Sequence, residues 1–435
     1  MDKQTIKERL CAAIDARRDQ IIGIGRDLFR HPELGYKEFY AAELVQKTFA
    51  ELGLEYRSGI AITGVRAEMK GKDSKVKVAV MGELDAVVCP EHPHADPQTG
   101  AAHSCGHNAQ VASMLGVAMA LKDTGLFSEL AGDVVFMAVP AEEYVEIEYR
   151  NRLRSEGKIR FLGGKQEFIA LGELDDIDIT MMFHTSGGDR KVVMGGTSNG
   201  FIGKLVRYRG QEAHAGGAPH AGVNALNAAT LGLMGIHAQR ETFRDADHIR
   251  VHPIITKGGD LVNIIPADVR METYVRGARM DAILDASKKV DRALKAGALA
   301  VGAEVEITQI PGYLPRVDDP VLTEIFEKNA IRLVGEEFVS RGGHGAGSSD
   351  IGDVSLLMPT IQPYVGGAVG RGHASDYLIE DEELAYVTAA KLLATSLVDL
   401  LADEAALALR AREEFEPTYT RESYLQMWEE LFQEE

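Results

Sequence analysis

Short apolar runs alternating with a longer helical one confine this chain to a narrow group of folds. Val76–Met81, Val134–Val139 and Ile179–Phe183 are five or six residues each, rich in Val, Ile, Met or Phe. Between the first two, Val111–Leu121 reads as a helix. Strands buried on both faces appear as unbroken apolar runs, and intervening helices favour parallel pairing. The expected fold class is therefore α/β, a largely parallel sheet flanked by helices. Each strand also leads into chemistry: the first into Glu83-Leu84-Asp85, the second into Glu142-Glu143, the third into His184. Open α/β sheets bind ligands beyond the carboxyl ends of their strands. Upstream, residues 3–55 read as helices broken at His31-Pro32-Glu33-Leu34-Gly35.

From about Gly195 the pattern changes. Phe201–Tyr208 alternates as a strand, and Leu226, Ala229, Leu233 and Ile236 fit a helix face. Ile249–Thr256 and Val269–Arg276 read as strands, Ile283 to Ala293 as a helix and Val305–Ile310 as a last strand. The order β-α-β-β-α-β is the ferredoxin-like plan. It predicts an inserted domain over 195–313, with 1–194 and 314–435 forming the other domain.

A chain of 435 residues exceeds one ordinary domain. Its net charge of -19 argues against nucleic acid and anionic membranes as partners. No apolar run approaches about 20 residues, so no membrane span is expected. The N-terminal stretch lacks the apolar centre of a signal peptide. Cys11, Cys89 and Cys105 form no disulfide framework, and a reducing cytoplasm is the expected compartment.

Cys105 and His107 lie two residues apart, ahead of the helical run. In an extended segment they face the same way and could grip one metal, or one each of a close pair. Taken singly, a buried Cys is more often core filler and a lone His more often satisfies a hydrogen bond. A helix start, however, favours thiolate. Asn108 suits the helix N-cap, and His103 reads as a loop or supporting residue. Adjacent glutamates are commonplace on exposed helices. Beyond a buried strand, Glu142 and Glu143 can divide roles, one binding metal and one taking a proton from water. His184 at a strand end and His373 in a polar loop would complete a donor set that ions such as Zn²⁺ accept. In the inserted domain His214 precedes a helix. Asn263 and Arg276 are candidates for a substrate carboxylate, which an Arg fork suits. A loop histidine and a surface ion pair are the plainer alternatives there. Glu91, His92, His94 and Asp96 read as a solvated loop.

Together these residues resemble the co-catalytic metallopeptidase and amidohydrolase family of aminoacylases, hippurate hydrolase and auxin-conjugate hydrolases. His31-Pro32-Glu33-Leu34-Gly35 with Glu38 is similar to its N-terminal signature. Cys105-Gly106-His107 is similar to the metal motif of its N-acyl-amino-acid amidohydrolase branch. Pro140-Ala141-Glu142-Glu143 is similar to its base and ligand pair, and His214-Ala215-Gly216 with Pro219 and Asn224-Ala225 to its lid motif. The resemblance implies a zinc-peptidase-like catalytic domain with a lid and dimerisation domain. It implies Cys105, His107, Glu143, His184 and His373 as metal ligands and Glu142 as general base. It implies that His214 reaches a neighbouring subunit's site in a homodimer, and that Asn263 and Arg276 hold the substrate carboxylate. The cofactor would be one or two divalent ions, Zn²⁺ or Mn²⁺, with Co²⁺ and Ni²⁺ as further candidates. Asn108 and Gln110 depart from the family's usual Asp and His. Gly82-Glu83-Leu84-Asp85 departs from the peptidase branches and leaves Asp85 a supporting residue.

The expected function is metal-dependent hydrolysis of the amide in an N-acyl or N-aroyl amino acid. A metallo-dipeptidase or carboxypeptidase, and a non-catalytic small-molecule-binding protein on the same fold, are the alternatives. A redox role for Cys105 lacks a resolving cysteine nearby in sequence.

Overall fold

The computed structural model describes residues 1–431 and divides into two compact units. The first comprises Met1–Gly196, Val317–Gly343 and Asp353–Arg421. Three helices open it: α1 (Lys3–Ala16), α2 (Arg18–Arg30) and α3 (Phe39–Glu51). Asp2 caps α1 by accepting the Thr5 N–H at 3.0 Å. The central sheet contains β1 (Tyr56–Ile60), β2 (Gly64–Met69), β3 (Lys77–Glu83), β4 (Asp133–Val139), β5 (Ile179–Met181) and a short strand, Thr360–Ile361. Its spatial order is β1-β2-β4-β3-β5 and then Thr360–Ile361. The β4-β3-β5 core and the last strand pair in parallel, while β1 and β2 close the other edge antiparallel.

Between β3 and β4 runs α4 (His107–Thr124), buried along every face from His107 to Leu121. It has no polar stripe because it lies between β3 on one side and α1, α2 and the helix Ala389–Leu401 on the other. One continuous helical run, Glu383–Leu401, has the length and apolarity of a membrane span, contrary to the expectation that no stretch would. Of that apolar stretch 83% is buried inside the structure, so it serves as a core helix.

The second unit holds Thr197–Arg316, with His344–Gly352 and the segment beginning at Glu422. Strands β6 (Gly200–Arg209), β7 (Arg250–Lys257), β8 (Asp268–Gly277) and β9 (Glu304–Pro311) form an antiparallel sheet in the order β7-β8-β6-β9. Against it pack α7 (Ala225–Ala238) and α8 (Met280–Val301), numbered after α5 (Ile147–Ser155) and α6 (Gly164–Leu171) of the first unit. The two helices touch backbone to backbone: a Cβ on Gly297 would lie 2.4 Å from the Ala228 carbonyl oxygen.

Candidate metal centre

The carboxyl edge of the parallel strands collects the chemistry. Glu83 ends β3, Glu142 and Glu143 follow β4, and His184 follows β5. Cys105 and His107 are not in an extended segment. Gly106 stands between them at φ +84° as the residue preceding α4. A Cβ there would meet the Thr185 hydroxyl at 2.1 Å and the Tyr377 hydroxyl at 2.2 Å. Only glycine supplies both this conformation and this clearance. Gly106, and not Asn108, is therefore the N-cap position. Asn108 lies inside the first turn, and its Nδ2 donates to the Gly25 carbonyl at 3.0 Å and the Tyr386 hydroxyl at 3.1 Å. It ties α4 to α2 and to the helical run Glu383–Leu401.

Five side chains converge here. Donor atoms of Cys105, His107 and His184 lie within 4.8 Å of one another, as do those of Cys105, Glu143 and His373. Cys105 belongs to both of these sets, and Glu83, His107 and Glu142 form a third group within the same distance. His107 Nδ1 lies 2.8 Å from the Asp85 carbonyl oxygen and His184 Nδ1 lies 2.8 Å from that of Thr185. Each contact turns Nε2 toward the cluster, the arrangement that orients metal-binding imidazoles. The His373 N–H donates to the Ser104 carbonyl at 2.8 Å, pinning its loop beside Cys105. Asp85 Oδ2 accepts the Glu143 N–H at 2.8 Å.

The donors fit a divalent cation. His107 Nε2 and Glu143 Oε1 are buried without a hydrogen-bond partner. Yet Glu83 Oε2 is 3.1 Å from the first and His373 Nε2 is 3.0 Å from the second. Atoms this close but misaligned for hydrogen bonding have the spacing of ligands around one ion, about 3–4 Å apart when each bond is about 2.0–2.3 Å. Charge tells the same story. Burial and Glu143 oppose ionisation of the Cys105 thiol, but His184 and His107 outweigh them and bring it down to about 6. The close approach of Cys105 and then Glu143 drives His373 up to about 11. Against burial, Glu83 and Cys105 raise His107. The anions hold protons on these imidazoles, and a metal replaces such protons when it binds.

Glu142 sits beside this cluster, its Oε2 3.9 Å from His107 Nε2. Two residues hold Glu83 beside His107, and the sequence assigns neither of them this role. Lys165, on α6, is fully buried and reaches Glu83 Oε1 at 2.5 Å. Gln110 donates to Glu83 Oε2 at 2.8 Å and accepts the Glu83 N–H at 3.0 Å. The departure at Gln110 thus serves to fix Glu83, which faces His107. Nothing in the periodicity of 164–171 marks a buried lysine. The loop read as solvated is also partly corrected: His92 is buried, with Nε2 2.8 Å from the Tyr377 carbonyl oxygen.

In the second unit, His214 is exposed. Its Nδ1 accepts the N–H groups of Gly216 at 3.2 Å and Gly217 at 2.8 Å, leaving Nε2–H as an outward donor. Asn263 is its neighbour, since the Ala215 N–H donates to the Asn263 carbonyl at 2.9 Å. Arg276 stands elsewhere, next to the last residue of β8, where it donates to the Ser348 hydroxyl at 3.0 Å. From Asp268 to Arg276 β8 spans about 27 Å at the usual rise per residue. Asn263 lies in the loop before β8 and Arg276 near its far end.

Comparison with known proteins agrees with this architecture. The chain is 28% identical over 446 residues to a Xaa-Arg dipeptidase of Mus musculus, covering 97% of this chain and 95% of that protein. It is 24% identical over 393 residues to an IAA-amino acid hydrolase of Arabidopsis thaliana, covering 85% and 83%. The crystal structure of a Bacillus subtilis protein described as a dinuclear metal binding peptidase from the M20 family shares its fold. There the TM-score is 0.65 at 22% identity, over 89% of this chain and 99% of that one. The family model "Peptidase family M20/M25/M40" matches residues 79–398, and the chain is a member of that family, a hydrolase of amide bonds.

Proposed function

We propose that the protein hydrolyses the amide of an N-acyl or N-aroyl amino acid at a divalent metal centre. Cys105, His107, Glu143, His184 and His373 would hold the ion or ions. The observation that carries this reading is the pair of donor sets sharing Cys105, with the Glu142 carboxylate beside them. A bound divalent ion supplies Lewis acidity, lowering the pKa of water and polarising the amide carbonyl. Glu142 takes the proton of the attacking water and returns it to the departing amine nitrogen. His214 offers its Nε2–H to the developing oxyanion. Arg276 and Asn263 hold the carboxylate of the amino acid.

Their placement, Asn263 in the loop before β8 and Arg276 near its far end, favours a site completed by two copies, with His214 and Asn263 of one serving the metal centre and Arg276 of the other. The second unit suits pairing. β7 is an edge strand with an open row of backbone groups, and Ile254 and Ile255 on it are exposed, as are Leu231 and Met234 on α7. Mixing two inactive variants, Glu142→Gln and His214→Ala, and allowing them to exchange partners tests this. Sharing across copies should restore about a quarter of wild-type turnover, because half the dimers are mixed and each has one intact site. No recovery after verified exchange would place His214 in its own copy's site.

A dipeptidase is the second reading, favoured by the near-complete coverage of the mouse Xaa-Arg dipeptidase. Turnover of acetyl-, benzoyl- and aminobenzoyl-amino acids against dipeptides, with Mn²⁺ or Zn²⁺ added, separates the two. Acylated amino acids are expected to be the better substrates. Faster dipeptide cleavage would favour the second reading, and a metal-free, inactive protein the non-catalytic alternative.

A further inference from the structure

The turn that presents Glu142 and Glu143 is strained, and what holds it comes from the N-terminal segment. Ala141 is fully buried and adopts φ +56°, a region disfavoured for any residue with a Cβ. Its N–H donates to Glu38 Oε1 at 2.8 Å. Its carbonyl accepts the Gly164 N–H at 3.2 Å and Arg150 Nη1 at 3.3 Å. Glu38 is itself fully buried, and its other oxygen accepts the Thr63 hydroxyl at 2.7 Å. Two residues on from Ala141, the Glu143 N–H is anchored on Asp85 at 2.8 Å. Glu142 therefore sits between two amides, each fixed by a buried carboxylate.

The rest of the His31–Glu38 segment wraps the same turn. A Cβ on Gly35 would lie 2.3 Å from Arg150 Nη2 and 2.9 Å from Ala141 Cα, so the chain passes flat against it. The Tyr36 ring lies 5.5 Å from the Arg150 guanidinium, and its hydroxyl donates to the Phe161 carbonyl at 2.9 Å. Arg150 also donates to the Leu162 carbonyl at 2.8 Å. Lys37 pairs with Glu146 at 2.7 Å, beyond the glutamates.

A buried carboxylate is a poor choice for stability alone, because an apolar side chain of that size avoids its desolvation. Here burial, and then the charge of Asp85, push the Glu38 carboxyl up from its ordinary range. The group is kept despite that. A carboxylate makes a stronger bond to a backbone N–H than a neutral acceptor does, and this N–H belongs to a residue whose left-handed conformation must be enforced.

We propose that Glu38 is a positioning residue: by clamping the Ala141 N–H it enforces the left-handed turn that aims Glu142 and Glu143. The inference rests on the reading of Glu142 as the base and gives a purpose to the N-terminal signature. Glu38 touches neither substrate nor metal on this account, and acts through the backbone.

The test is a double-mutant cycle on the metal-loaded enzyme, using the best acylated amino acid from the panel. Glu38→Ala should lower kcat roughly 10- to 100-fold, the scale of an ångström-level misplacement, with KM shifted less than about threefold. Its Zn²⁺ affinity, read by competition with a chromophoric chelator, should also fall, because Glu143 is aimed by the same turn. Ala141→Gly supplies the baseline for the double variant. Glycine adopts the left-handed turn without penalty, so Glu38→Ala should cost markedly less turnover when combined with Ala141→Gly. A Glu38→Ala enzyme with wild-type kcat, or one not improved by Ala141→Gly, overturns the proposal. If Glu38→Ala does not fold, Glu38→Gln and Glu38→Asp carry the test. Gln keeps a weaker, neutral acceptor at the same reach and should lose less turnover than Asp, which withdraws the acceptor; equal behaviour of the two overturns the clamp. Full turnover in Glu142→Gln would instead remove the reading of the base, a failure separable from that of Glu38.

Discussion

Replacing Glu142 with Gln should cut kcat by about 10³–10⁵, the combined loss of water activation and proton return, while leaving bound metal unchanged. Gln fills the same volume and accepts a hydrogen bond, but it cannot carry a proton between water and amine. Elemental analysis of the dialysed protein beside the kinetics separates this from a folding or ligand defect. The pairing of intact metal with lost turnover is what distinguishes Glu142 from Glu143. Replacement of Glu143, whose Oε1 lies against His373 Nε2, should release metal. A Glu142→Gln enzyme that keeps even a tenth of wild-type kcat would move the base elsewhere.

The second large effect is expected at Cys105. Its sulfur is common to both donor sets, so one substitution should empty both. His184 and His373 each belong to one set only. Dialysed wild-type protein is expected to retain two ions per chain, His184→Ala and His373→Ala about one each, and Cys105→Ala close to none. Activity of Cys105→Ala should fall at least about a hundredfold. Two ions retained in Cys105→Ala would show that the sulfur is not shared. Serine is the more informative replacement where folding is in question, because it keeps the polarity and nearly the volume of the thiol.

How far sequence leads toward this site depends on which force marks each residue. The strands are legible because burial on both faces leaves unbroken apolar runs, and Val134–Val139 falls inside β4. The positions of Glu142, Glu143 and His184 follow from those strands, since the active edge of an open sheet is a topological property. Cys105 and His107 stood out as reactive types at close spacing, but the turn between them did not. Gly106 is needed because of Thr185 and Tyr377, which are distant in sequence. Lys165 and Glu38 were invisible as site residues for a related reason. A buried charge is written by its partner, and the partners Glu83 and Ala141 lie 82 and 103 residues away. Asn108 appeared as a cap because Asn at a helix start usually is one; the cap role passed to glycine, and the amide reaches across to α2 instead.

The Lys165–Glu83 pair bears on the order in which this enzyme is assembled. Several acidic groups crowd one buried edge, and an ammonium already built into the chain offsets part of their mutual repulsion. Imidazoles whose protons the neighbouring anions favour offset more of it. Balanced in this way, the first unit is expected to keep its fold when metal is stripped, so the chelator-treated protein should still melt cooperatively. Loading and unloading would then be exchanges within a standing fold, unlike the small zinc modules that collapse only around their ion.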